Sequence, residues 1–334
     1  MRCTQTSNSS PSLAEGDTER SLRANRISRR GFAARIGVVA GCTVATAACP
    51  FPILATTSAI EPFQRLAPGR LRLSLAAYSM RDFLKENKEG WDLFRFVDYC
   101  HELNVPGAEL TSYYFPKDVT SEYLTKLKQH CHVRGITVSG GAIANDFCQA
   151  DAAKVRADIE STKRWIDRYA ILGANVIRIF AGTQPKDQSW EDTMVRCVTA
   201  IEEVADYAHQ KGIYLGLENH GGVTATAQGL LDIVQRVNTL GFGVNFDSGN
   251  FRSTSDPYAE LSAIAPYAVN AQLKVEMFPD GKREETDLAR VLRILADANY
   301  SGWVALEYEA ADPPLEAIPR WIERLQEEIG KRKL

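Results

Sequence analysis

From residue 71 onward the chain repeats one pattern eight times: a short apolar run, then a longer amphipathic stretch that stops just before the next run. The runs begin near residues 71, 107, 136, 175, 213, 242, 270 and 302, and nearly every gap is long enough for a helix. Strands that alternate with helices specify a parallel sheet, because each helical crossover returns the chain to start the next strand in the same direction. Eight such units in about 265 residues are the size of a closed barrel of the α/β class, a (β/α)8 TIM barrel. An open doubly wound sheet is the second reading, but no glycine-rich phosphate loop follows the first run. Trp91 to Leu103 places Leu93, Phe96, Val97 and Cys100 on one face, and Ser121 to Arg134 follows the same helical periodicity. Gly135, Gly173, Gly212 and Gly241 each stand shortly before a run, where helix C-caps belong. Pro314 to Ile329 reads as the last helix.

The chain is 45% hydrophobic and 24% charged with a net charge of -3, ordinary for a globular protein. It has no basic surplus for a nucleic-acid surface. Three regions are expected: residues 1–49, residues 50–68 as a linker, and residues 69–334 as the barrel. Residues 1–27 are rich in Ser, Thr, Arg and Asn and are expected to be disordered. Ser28-Arg29-Arg30-Gly31-Phe32 then precedes a modest apolar run from Ile36 to Ala48. This resembles a twin-arginine export signal. The resemblance implies a periplasmic protein exported already folded, with cleavage after Ala45-Thr46-Ala47. The run falls short of the ~20 apolar residues of a membrane span, so none is expected in the mature chain. Lipid anchoring at Cys42, in Val39-Ala40-Gly41-Cys42, is the less favoured alternative. Cys100, Cys131, Cys148 and Cys197 show no C-x-x-C spacing and are read as free buried thiols.

Four successive apolar runs each finish on a polar side chain. Tyr214-Leu-Gly-Leu ends in Glu218-Asn219-His220, Phe242-Gly-Val ends in Asn245-Phe-Asp247, Ala271 leads to Gln272-Leu-Lys274, and Trp303-Val-Ala-Leu ends in Glu307. In a barrel these ends converge on one face, where the fold carries its active sites. Residues two apart on a strand share a face, so Glu218 pairs with His220, Asn245 with Asp247, Gln272 with Lys274 and Glu276, and Glu307 with Glu309. Glu218, Asp247 and Glu307 with the Gln272 carboxamide offer four oxygens, the ligand set of a hard divalent ion such as Mn²⁺ or Mg²⁺. Three clustered carboxylates without a cation would repel one another until one kept its proton.

Arg178, inside the apolar run Val176-Ile-Arg-Ile, needs a partner: Glu218 or Glu109 in the barrel, or oxygens of a substrate. Lys274 is either a buried partner for a carboxylate or a polarising cation beside the substrate. His220, followed by Gly221-Gly222, is within reach of a substrate hydroxyl. Glu109 and Asn250 complete the expected substrate-binding set. Tyr78, Ser79, Arg81, Asn145, Asp146 and the aromatics Tyr113, Tyr114 and Phe115 are weaker pocket candidates.

These residues resemble the xylose isomerase-like barrels of sugar isomerases, sugar 3-epimerases and inosose dehydratases. The resemblance rests on Leu217-Glu218-Asn219-His220-Gly221-Gly222, Asp247-Ser248-Gly249-Asn250 and Gln272-Leu273-Lys274-Val275-Glu276. It implies one divalent metal held by Glu218, Asp247, Gln272 and Glu307, with Mn, Mg or Co favoured over Zn. Two positions depart from the family: Gln272 stands where most relatives carry His, and Asn250 where epimerases often place a second His. The apurinic-site endonucleases of the same architecture use many His ligands. This chain has five His, four of them on helix-like segments.

The implied reaction is metal-assisted proton abstraction next to a carbonyl through an enediolate, with Glu218 and Glu307 as acid and base and His220 relaying a hydroxyl proton. Return of the proton gives isomerisation or epimerisation of a carbohydrate, and loss of a β-substituent makes the chain a lyase or dehydratase on keto-sugars or keto-glycosides. An exported sugar-binding barrel without turnover is the reading from another class. The sequence leaves an oligomer open.

Overall fold

A computed structural model describes residues 60–331 of the chain. The twin-arginine segment, its cleavage pattern and Cys42 lie outside the described residues. Eight parallel strands close into a barrel: β1 (Leu71–Ala76), β2 (Gly107–Thr111), β3 (Thr137–Ala142), β4 (Val176–Ile179), β5 (Tyr214–Glu218), β6 (Phe242–Asp247), β7 (Ala268–Leu273) and β10 (Gly302–Leu306). They follow one another around the ring in chain order, with β10 pairing to both β7 and β1. A short antiparallel hairpin, β8 (Glu276–Met277) and β9 (Glu284–Glu285), stands apart from the ring. The helices are α1 (Arg81–Leu84), α2 (Leu93–Glu102), α3 (Ser121–Val133), α4 (Ala152–Leu172), α5 (Trp190–Gln210), α6 (Ala227–Arg236), α7 (Pro257–Ile264), α8 (Leu288–Asp297) and α9 (Pro314–Gly330).

Each strand alternates as barrel closure requires. Leu215 and Leu217, Val244 and Phe246, and Val304 and Leu306 are buried against the helices, while Glu218, Asn245, Asp247 and Ala305 take the alternate positions. The barrel interior is consequently polar: the Ser74 and Ser139 hydroxyls meet at 2.5 Å, and Glu109 reaches amides on β7. The apolar core lies in the layer between strands and helices, where α2 contributes Leu93, Phe96, Val97 and Cys100, as its spacing foretold. Helix starts are capped by side chains, for example Thr120 on Tyr123, Ser189 on Asp192 and Asp287 on Arg290.

Gly173 caps α4 with φ of +83°, a conformation that costs a side-chain-bearing residue energy, and Gly135 and Gly212 do likewise after α3 and α5. Gly241 is different. α6 already ends at Arg236, and Gly241 is required because a Cβ there would lie 2.5 Å from the Ala205 carbonyl oxygen.

The segment expected as a linker is docked where it is described. The Phe63 amide donates to the Pro266 carbonyl at 3.2 Å, and its ring meets Tyr214 edge-on at 5.8 Å. The Arg65 guanidinium donates to the Pro266 carbonyl at 3.3 Å and to that of Ala268, and stacks near the Tyr300 ring. These partners stand at the starts of β5, β7 and β10, so residues 63–65 cork the end of the barrel opposite the polar strand ends. The sequence offered no sign of this, because two isolated side chains carry no periodicity. All four described cysteines are free and buried.

Candidate active site

Parallel strands all point the same way, so the last residues of β5, β6, β7 and β10 gather at one mouth. Register fixes their heights: Asp247 pairs with Gln272, Glu218 with Asn245, and Ala305 with Gln272. Glu218, Asp247, Gln272, Lys274, Arg178 and Glu307 are all under 8% exposed.

Lys274 is the centre of the arrangement. Its Nζ lies 3.3 Å from Asp247, 3.6 Å from Glu307 and 3.2 Å from Glu309, and donates to Asn250 Oδ1 at 3.1 Å. Burial alone would favour the neutral amine, but the surrounding carboxylates win and hold it protonated. Asn250 passes the contact on, its Nδ2 donating to Glu218 Oε1 at 2.9 Å. Glu218 Oε2 faces Arg178 Nε at 3.0 Å, an ion pair whose angle does not make a hydrogen bond. Arg178 also donates to the Ile143 carbonyl at 3.1 Å and lies over the Phe180 ring. The structural partner foreseen for Arg178 is therefore Glu218.

Burial pushes the acids up. Glu218 rises to about 7 against the pull of Arg178 and Lys274, Asp247 to about 7 against Lys274, and Glu307 to about 8 against Lys274 with Asp247 adding to the rise. Asp247 Oδ1 accepts from the Gly249 amide at 2.8 Å, while its buried Oδ2 makes no hydrogen bond and has only the Lys274 charge. His220 is pushed down to about 4, first by burial of its ring against Phe180 at 4.4 Å and then by Lys274 and Arg178. The residue as a whole keeps a solvent-exposed side, its amide donates to Thr224 Oγ1 at 3.1 Å, and the imidazole, neutral at pH 7, offers one donor and one acceptor.

Two expectations change. Glu109, placed among the substrate-binding residues, has both oxygens occupied: Oε1 accepts from Gln272 Nε2 at 2.5 Å and Oε2 from Asn270 Nδ2 at 2.8 Å. It faces the barrel interior, and each of its oxygens already accepts one hydrogen bond from a β7 amide. Asn145 and Asp146 brace a loop. Asn145 and the backbone of Phe180 exchange hydrogen bonds of 2.7 and 3.0 Å, and Asp146 accepts from the Cys148 amide. Among the aromatics, Phe115 packs on Trp165 and Tyr169 in the core, whereas Tyr113 is 43% exposed beside Tyr78.

Two residues were not singled out by the sequence. Asn219 is fully buried and exchanges hydrogen bonds of 2.9 Å with the backbone N–H and C=O of Asp247, pinning β5 to β6 at the mouth. Its place directly after Glu218 was the available signal. Glu309 supplies a third carboxylate to Lys274. It had been placed on the face of Glu307, without a role.

The family pattern described as a xylose isomerase-like TIM barrel matches residues 97–328. The chain belongs to this family. Solved structures share the fold. D-allulose 3-epimerase from Methylomonas sp. is 16% identical with a TM-score of 0.61, the match covering 79% of this chain and 99% of that one. The probable 3-DHS dehydratase AsbF of petrobactin synthesis from Bacillus anthracis is 16% identical with a TM-score of 0.60, covering 78% and 100%. The IolI protein, solved with a zinc atom, is 18% identical with a TM-score of 0.63, covering 78% and 97%.

The donor types at the mouth, though not their present placement, are those a hard divalent ion takes. Glu218, Asp247, Gln272 and Glu307 present hard oxygens, Asp247 Oδ2 is buried with no hydrogen bond, and the Lys274 ammonium stands in for the positive charge the carboxylates require. As they stand, no three His, Cys, Asp or Glu side chains among the described residues are placed to hold a metal ion. Arg178 and Asn250 hold Glu218, and Lys274 draws Asp247 and Glu307.

Proposed function

We propose that this chain is a metal-dependent sugar isomerase or epimerase that moves a proton on the carbon next to a carbonyl. The observation that carries the reading is the cluster of Glu218, Asp247 and Glu307, buried at the ends of β5, β6 and β10 around Lys274. Buried acids cost a fold stability when ionised, and a cluster of them at the C-terminal mouth of a barrel is the arrangement that proton-transfer chemistry uses. The epimerases that share the fold support the same class.

A divalent ion held by Glu218, Asp247, Gln272 and Glu307 would supply Lewis-acid stabilisation of negative charge on the substrate oxygens. The protein's own groups do the rest. Glu218, braced by Arg178 and Asn250, takes the proton from carbon as base. Glu307, three strands away around the ring, has its carboxyl pushed up by burial and delivers a proton to the opposite face. Neutral His220 relays the hydroxyl proton, and Tyr78 and Tyr113 flank the entrance.

Elimination is the second reading. Glu307, protonated up to about 8 beside Lys274, suits protonation of a departing β-substituent, and a dehydratase shares the fold. The test incubates the metal-loaded protein with a panel of keto-sugars and keto-glycosides in D₂O. Deuterium next to the carbonyl in recovered isomers supports epimerisation, and an unsaturated product supports the lyase. Absence of both exchange and product across the panel leaves the barrel a sugar-binding protein and overturns the enzyme reading. Export through the twin-arginine route is part of the proposal, and periplasmic recovery of the chain, lost on Arg29→Lys with Arg30→Lys, tests it.

A further inference from the structure

A closed ring of hydrogen bonds lies directly beneath the mouth. Glu109 reaches from β2 across the barrel to accept from Gln272 Nε2 at 2.5 Å and from Asn270 Nδ2 at 2.8 Å. Asn270 Nδ2 also donates to Asn245 Oδ1 at 2.8 Å, and Asn245 Nδ2 donates to Gln272 Oε1 at 2.6 Å, which closes the ring. All four residues are at most 1% exposed.

Three of the four members are carboxamides, whose oxygen and nitrogen are alike in shape and opposite in hydrogen bonding. A ring built only of amides could run in either direction. Burial pushes the Glu109 carboxyl up, while the two amide donors and Arg178 favour its ionised form; as a carboxylate it has two accepting oxygens and no donor, so Asn270 and Gln272 both turn their NH₂ groups toward it. The direction of the whole ring follows. A flip of Gln272 alone would set its carbonyl oxygen against the Glu109 carboxylate and its NH₂ against the NH₂ of Asn245. Both are like-polarity contacts in a buried place, where unsatisfied groups are costly.

We infer that Glu109 is a positioning residue for the fourth oxygen donor of the site. It holds the Gln272 carbonyl oxygen on the β6 side, where Asn245 Nδ2 donates to it on the strand that ends in Asp247, and keeps the NH₂ group, which cannot bind a cation, turned toward Glu109. The inference rests on the metal-binding reading above and adds the group that makes a glutamine serviceable there. A side chain with two identical terminal oxygens would need no such orientation.

The test is a double-mutant cycle on the metal-stripped protein, read as Mn²⁺ affinity by calorimetry beside the melting temperature. Glu109→Gln keeps the shape but removes the acceptor-only member, and Mn²⁺ binding is expected to weaken roughly 10–100-fold, as for other groups that orient a ligand. In a Gln272→Glu background there is no amide to orient, so Glu109→Gln is expected to cost no affinity. Wild-type affinity in Glu109→Gln, or an equal loss in the Gln272→Glu background, overturns the inference and leaves the metal reading standing. No Mn²⁺ binding by the wild type overturns both. Should Glu109→Gln fail to fold, Glu109→Asp and Glu109→Asn share one shortened length. The Asp variant is expected to bind Mn²⁺ more tightly, and equal affinity overturns the inference.

Discussion

Lys274 decides whether three carboxylates can share one buried mouth. Lys274→Met removes the only ammonium within 4 Å of Asp247, Glu307 and Glu309 among the described residues. Breaking a buried pair in this way costs about 3–5 kcal/mol, measured by urea denaturation of the metal-free protein. With saturating Mn²⁺ the loss should be smaller, because a second positive charge reaches the same oxygens. An identical loss with and without metal would show that no cation shares the site. Glu307→Gln keeps the volume but cannot deliver or accept the proton on its face. Turnover is expected to fall about 10²–10⁴-fold with the melting temperature nearly unchanged. Turnover close to that of the wild type would remove Glu307 from the mechanism.

Among elements, the loops after β4 and β5 hold each other. The Val223 amide donates to the Gly182 carbonyl at 3.1 Å, and Gly222 sits at φ of +54° where a Cβ would be 2.1 Å from that carbonyl oxygen. Gly222→Ala must therefore displace the loop that carries His220. It is expected to lower stability by about 1–3 kcal/mol and to weaken substrate binding, with both read on the same preparation. The cork at the other end is separable from this: Phe63→Ala should cost about 1–2 kcal/mol of half-buried apolar area and leave substrate binding intact. The eight barrel strands were legible because alternation along Leu215–Glu218 or Val244–Asp247 is a local pattern, and each polar end announced itself by interrupting it. The hairpin of β8 and β9, the docking of Phe63 and Arg65, and the turning of Glu109 onto Gln272 were not. Each depends on residues brought together across the barrel, which no window of sequence contains. Glu109 shows the limit well: its strand and height were legible, but not which neighbours would claim its oxygens.

For the molecule as a whole, the buried acids tie metal, pH and stability together. Glu218 and Asp247 are pushed up to about 7 and Glu307 to about 8, chiefly by burial. An acid raised in the folded state stabilises the fold while protonated. That contribution is complete below the ordinary carboxylate range and is lost as pH rises through the raised values. The metal-free protein is thus expected to lose melting temperature from about pH 4, where the unfolded carboxylates ionise, up to about pH 8. Mn²⁺ competes with the same protons, so its affinity should rise over that window with protons released to buffer, measurable by calorimetry in two buffers of different ionisation enthalpy. A pH-independent affinity would mean that these carboxylates are not the ligands.

The cork at the base of the barrel has a bearing on time. Arg65 binds carbonyls that follow it by 201 and 203 residues, beyond the whole of β1 to β6. During synthesis its seat does not exist until the ribosome has passed β7, and long-range closures of this kind come late and slowly in folding. Residues 63–65 are therefore bound down only when the barrel is almost complete. The seat for Arg65 thus belongs to a chain one strand short of a ring, and β10 closes the circle after it.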